Sequence, residues 1–129
     1  MKRDVILIED DSDEVYFFTE ACASIKPSLN LLTFTNGVDF LSYTTKNDLN
    51  NCLIFIDVNM PLVDGFSLMT NLKQKGLTKN NKLYIYTITD CDKARQQASE
   101  VGADGYIVKP DTCEAISHLI ESKLAEMDH

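Results

Sequence analysis

The sequence predicts an α/β fold: a doubly wound, five-stranded parallel sheet with helices on both faces. Two observations carry this. Apolar runs recur near residues 5–8, 31–34, 53–56, 83–86 and 106–108, each followed by a segment with helical spacing. The runs are near-continuously apolar rather than alternating, as strands covered on both faces are, and alternation of strand with helix requires right-handed crossovers between parallel strands. A three-layer sandwich follows, and 129 residues make one domain over 1–129, with no room for a second, DNA-binding module.

The first run, Val5-Ile6-Leu7-Ile8, leads into Asp11-Ser12-Asp13-Glu14, whose acids suit a helix amino terminus. Val15, Phe18, Cys22 and Ile25 then share one helical face before Pro27 stops it. Asn36-Gly37 opens a short second helix marked by Val38 and Leu41. Phe66, Met69 and Leu72 mark a third, and Cys91, Ala94, Ala98 and Val101 a fourth that ends at Gly102. Ile116, Leu119, Ile120, Lys123 and Leu124 trace the last, capped near Asp111 or Thr112. The polar stretches 44–51 and 76–82 read as helix-to-strand connections at the opposite end of the sheet from the acids. Tyr16, Phe17 and Phe18 exceed what one helical face can bury, so one or two of them are expected at the surface.

A net charge of -8, from 20 acids against 12 bases, disfavours adhesion to nucleic acid or to an anionic membrane. Cys22, Cys52, Cys91 and Cys113 are widely spaced, without a C-x-x-C or a neighbouring histidine, and read as buried free thiols of a cytoplasmic protein. Met1-Lys2-Arg3 resembles a signal n-region, but the apolar run behind it stops at Glu9, and no stretch reaches membrane-spanning length. His118 reads as a surface or interface residue of the last helix, and His129 as part of a disordered terminus.

Chemistry collects at the carboxyl ends of the strands, where open α/β sheets bind ligands. The first strand delivers Glu9, Asp10 and Asp11; the third delivers Asp57 to what reads as an exposed tip; the fourth delivers Thr87 and Thr89; the fifth delivers Lys109-Pro110. Two carboxylates about 4 Å apart repel by about 4 kcal/mol at an effective dielectric of 20. A hard divalent cation such as Mg²⁺ offsets that, and oxygen donors are what it takes. Asn59, Pro61, Asp64 and Gly65 already carry the turn chemistry after Asp57, which leaves Asp57 free for another role. A carboxylate can accept a phosphoryl group if cations neutralise the transferring oxygens, and Lys109 can supply such charge.

From end to end the chain resembles a response-regulator receiver domain. The resemblance rests on Glu9-Asp10, on Asp57 in Ile-Asp-x-x-Met-Pro-x-x-Asp-Gly, on Thr87, on Tyr106 and on Lys109-Pro110, in that order and spacing. It implies a flavodoxin-like (βα)5 sandwich with strand order 2-1-3-4-5. It also implies that Asp57 is the phosphoacceptor, becoming 4-aspartylphosphate, and that Mg²⁺ is held by Asp10, Asp57 and the backbone carbonyl of Asn59, with Glu9 acting through water. Asp11 is the alternative to Asp10, and Thr89 the alternative to Thr87. Lys109 would contact the phosphoryl group, while Thr87 and Tyr106 would switch the surface of helix four, strand five and helix five.

The implied donor is a phosphohistidine on a histidine kinase or histidine phosphotransfer protein. The protein would catalyse only its own phosphorylation and dephosphorylation, with output through a downstream protein target and a phosphorylation-linked homodimer as one form of it. Ile88 departs from the small residue that receivers usually carry after the hydroxyl, so Ile88→Ala is expected to speed phosphorylation and dephosphorylation. Three other readings compete: a pseudo-receiver that is never phosphorylated, a small Mg²⁺-dependent phosphatase with an aspartyl nucleophile, and an FMN-binding flavodoxin-like module. Asn59 stands where such phosphatases carry a second acid, and Glu9-Asp10-Asp11 would repel a flavin phosphate.

Overall fold

Successive residues of a strand point to opposite faces of its sheet, and the apolar runs use both faces here. The computed structural model describes residues 4–25 and 29–127. Its elements are β1 (Asp4–Ile8), α1 (Ser12–Ala23), β2 (Asn30–Phe34), α2 (Gly37–Lys46), β3 (Leu53–Ile56), α3 (Gly65–Gln74), β4 (Lys82–Thr87), α4 (Asp92–Glu100), β5 (Gly105–Val108) and α5 (Cys113–Met127). All strand pairs are parallel, in the order β2-β1-β3-β4-β5. The expected architecture is the observed one.

Ile6, Ile8, Ile54, Ile56, Leu83 and Ile85 point to one face, where Phe40, Leu68, Met69, Leu72 and Ala98 of α2, α3 and α4 cover them. Their neighbours Val5, Leu7, Leu53, Phe55, Tyr84 and Tyr86 point to the other, covered by Phe18, Ala21, Cys22, Ile116 and Ile120 of α1 and α5. Phe18 is the centre of that layer, edge-on to Phe55 at 5.3 Å and to Tyr86 at 5.7 Å. Such aromatic pairs add about 1 kcal/mol each beyond the area they bury. Ser117 joins α5 to α1, donating to the Ala21 carbonyl at 2.9 Å and sharing a hydrogen bond with Ser24.

Several expectations need correction. Val38 is exposed, because the Asn36 cap, which accepts from the Asp39 amide, sets a helical phase that turns Phe40 into the core instead. Only Cys22 and Cys52 are buried thiols. Cys91 is exposed and sits just before α4, its sulfur accepting from the Ala94 amide at 3.3 Å, and Cys113 is half-buried at the start of α5. The expectation for the aromatics of α1 holds: Tyr16 and Phe17 are exposed and Phe18 is buried. Pro27, Met1 to Arg3 and His129 lie outside the described residues. Among the described residues, no helix is long and apolar enough to cross a membrane.

Candidate functional site

The strand order puts β1 between β2 and β3, and the register sets the carboxyl ends of β1 and β3 side by side. Ile8 lies opposite Ile56, the Asp57 amide donates to the Ile8 carbonyl at 3.1 Å, and the Glu9 amide donates to the Phe34 carbonyl at 2.9 Å. Glu9 and Asp57 therefore leave the sheet side by side. Behind them, a Cβ on Gly65 would fall 2.4 Å from the Asp57 carbonyl oxygen and 2.8 Å from the Val58 Cα. Only glycine lets α3 start that close to Asp57, which gives Gly65 a positioning role beyond a turn residue. Asp64 caps the same helix, accepting from the amides of Phe66 and Ser67. Leu62, in the connecting loop, is held at φ 72° with its side chain exposed, a conformation that costs a branched residue about 1–2 kcal/mol.

Asp57 is not at an exposed tip, as the sequence reading had it: it is 5% exposed and Glu9 only 1%. The turn after β3 folds back over the strand end, and Asp10 alone of the three acids faces solvent. Ligand oxygens of Glu9, Asp10 and Asp57 lie within 4.8 Å of one another. Asp11 is used elsewhere, as the cap of α1 accepting from the amides of Asp13 and Glu14, so Asp10 rather than Asp11 joins this group. The Asn59 amide donates to Asp57 Oδ1 at 3.4 Å.

Lys109 Nζ lies 2.6 Å from Glu9 Oε1, 2.7 Å from Glu14 Oε2 and 3.8 Å from Asp57 Oδ2, with its side chain 7% exposed. In the sequence Glu14 is one of the capping acids; its contact with Lys109 spans 95 positions and leaves no local signature. Three carboxylates thus surround one ammonium. Burial pushes Glu9 up to about 8, with Lys109 opposing and Asp57 reinforcing the rise. Burial likewise raises Asp57 against the pull of Lys109. Burial alone would lower Lys109, but its hydrogen bonds to Glu14 and Glu9 outweigh that and hold it above its ordinary value.

Thr87 ends β4 fully buried, its Oγ1 accepting from the Thr89 amide at 3.3 Å, whereas Thr89 itself is exposed. The Lys109 amide donates to the Thr87 carbonyl at 2.8 Å, which ties the two residues to one another. Tyr106, half-buried on β5, donates its hydroxyl to the Thr89 carbonyl, and the Arg95 guanidinium sits 4.7 Å from its ring centre. Ile88 is 71% exposed, turned to the surface. The carboxyl ends of β1, β3, β4 and β5 therefore bring Glu9, Asp10, Asp57, Asn59, Thr87 and Lys109 to one edge of the sheet, with Tyr106 on the flank toward α4.

An all-oxygen set with excess negative charge suits Mg²⁺, and a nearby buried lysine suits a phosphoryl group. Comparisons with known proteins bear on the family and the fold. The family model described as "Response regulator receiver domain" matches residues 5–121. The chain is similar to the transcriptional regulatory protein PrrA of Mycobacterium tuberculosis, 30% identical over 111 residues, covering 82% of this chain and 43% of PrrA. It is 26% identical over 121 residues to the sensor histidine kinase CheAY of Helicobacter pylori, covering 93% of this chain and 15% of that protein. The chain thus spans less than half the length of these curated relatives. In three dimensions it resembles the phosphorylated cyanobacterial phytochrome response regulator RcpA, with a TM-score of 0.83 at 17% identity, covering 95% of this chain and 91% of that one. It also resembles CheY4 of Vibrio cholerae, with a TM-score of 0.81 at 20% identity, covering 95% and 98%.

Proposed function

Because the chain belongs to the response regulator receiver family, we propose that it is a phosphoacceptor of two-component signalling in which Asp57 takes a phosphoryl group from a phosphohistidine. One observation carries this reading. Asp57 is a buried carboxylate that shares a three-acid group with Glu9 and Asp10 and lies 3.8 Å from a buried ammonium. In the transfer, an Asp57 Oδ–P bond forms as the P–N bond breaks, and the imidazole nitrogen leaves with the electron pair.

Asp10, Asp57 and the Asn59 carbonyl would hold Mg²⁺, with Glu9 acting through water, and the ion when bound supplies positive charge to the transferring oxygens. Lys109 contributes a second positive charge from the β5 side, and the Thr87 hydroxyl a hydrogen bond. Movement of Thr87 toward the phosphoryl group would withdraw the partner of the Thr89 amide, loosening the loop whose carbonyl holds Tyr106. The partners are a histidine kinase or phosphotransfer protein and a downstream protein, with a homodimer as one form of output. The proposed location is the cytoplasm, and the proposed unit is a single receiver domain over 1–129.

The test is incubation with acetyl phosphate and Mg²⁺, read by intact mass. One added phosphoryl group on the wild type, absent from Asp57→Asn and absent after EDTA, is the expected outcome. No adduct on the wild type would overturn the reading in favour of a pseudo-receiver.

A further inference from the structure

The ammonium of Lys109 has three donors, and carboxylates hold two of them at hydrogen-bond distance, Glu9 at 2.6 Å and Glu14 at 2.7 Å. A phosphoryl group on Asp57, 3.8 Å away, would bring several anionic oxygens toward an ammonium with one donor left, so Glu9 and Glu14 become competitors for its charge and the more mobile of the two is the one to give way. Glu9 has nowhere to go: its side chain is 1% exposed, and its Oε2 also accepts from the Asp11 amide. Glu14 is one-third exposed and borders a cavity of about 160 Å³ lined with Phe17, Tyr86, Pro110, Cys113 and Ile116. The Tyr86 ring, 5.6 Å from the ammonium, keeps Lys109 attracted to its present position while Glu14 moves.

Resting on the phosphoacceptor reading, we infer that Glu14 is a competing anion that holds Lys109 before phosphorylation and releases it to the phosphoryl group. Glu14 is a positioning residue acting through Lys109. Its backbone amide is pinned to Asp11 at 3.2 Å, so release of the side chain unties the first turn of α1 from the start of the β5–α5 connection. Tyr16 and Phe17, both exposed, follow directly in the next turn. The state of Asp57 would then be reported on the α1 flank, through different residues from the Thr87–Tyr106 relay beside α4.

Glu14→Gln removes the competing charge with little change of shape, and Asp13→Asn removes a neighbouring charge that makes no contact with Lys109. Each is titrated with beryllofluoride in the presence of Mg²⁺ by amide chemical shifts, with hydrogen exchange of residues 12–18 followed in parallel. Glu14→Gln is expected to bind beryllofluoride about fivefold more tightly, the ratio given by one partly exposed ion pair, with Asp13→Asn within about twofold of wild type. Exchange in α1 should quicken on binding in wild type and stay unchanged in Glu14→Gln. Equal gains in Glu14→Gln and Asp13→Asn would overturn the inference and leave the phosphoacceptor reading standing. No beryllofluoride binding by the wild type would remove that reading and the inference with it.

Discussion

The two ends of one sheet treat buried polar groups in opposite ways. At the amino end, Asn81, 4% exposed, accepts from the Cys52 amide at 2.9 Å and donates to the carbonyls of Leu49 and Leu77 at 3.0 and 2.8 Å. Every group on that amide has a partner, and the connections before β3 and β4 are locked together. At the carboxyl end of the same strands, Glu9, Asp57 and Glu14 share the single ammonium of Lys109. Matched polar groups make structure, and unmatched charge is what remains available for chemistry.

The largest effect expected from this contrast is structural. Asn81→Ala leaves an amide and two carbonyls unpartnered and should lower the unfolding free energy by about 3 kcal/mol in a urea titration. The Mg²⁺ response should be retained in that variant; its loss along with the stability would mean that the two ends are not independent. The smallest effect belongs to Ile88→Ala. Because Ile88 is turned outward at the rim, the variant should raise the rates of phosphorylation and dephosphorylation by no more than about twofold, the scale of surface substitutions. Phosphorylation kinetics from acetyl phosphate would show it, and unchanged rates in both directions would remove Ile88 from the list of modulators.

The fold was legible because apolar runs of strand length alternate with helical spacing, and each run shows its own turn chemistry. Strand ends and candidate ligands followed from that, since residues directly after a buried strand have few places to go. What local pattern could not show was burial of the site. Asp57 reads as an acid at an exposed strand tip, and its enclosure depends on Gly65 bringing α3 against its carbonyl. Glu14 was indistinguishable from a helix-dipole acid, because its partner lies at the other end of the chain. Val38 and Phe40 are both apolar, and the choice between them rests on the phase set by the Asn36 cap.

The charge mismatch at the carboxyl end has a direct signature in pH. Glu9 has an ordinary value of 4.5 and rises to about 8 in the folded chain. A group raised on folding contributes stability that is complete below its unfolded value and is lost as pH climbs through its folded value. Metal-free protein should therefore lose stability steadily between about pH 5 and pH 8, and Glu9→Gln should flatten that loss. Mg²⁺ competes with protons for the same oxygens, so it should raise the melting temperature by several degrees near pH 8 and far less near pH 5. The measurement to make is that thermal melt, wild type beside Glu9→Gln, with and without Mg²⁺ at both pH values. A Mg²⁺ stabilisation confined to the higher pH is the result expected of a buried carboxylate cluster built for a cation. An Mg²⁺ response of equal size at both pH values, or none at either, would contradict it.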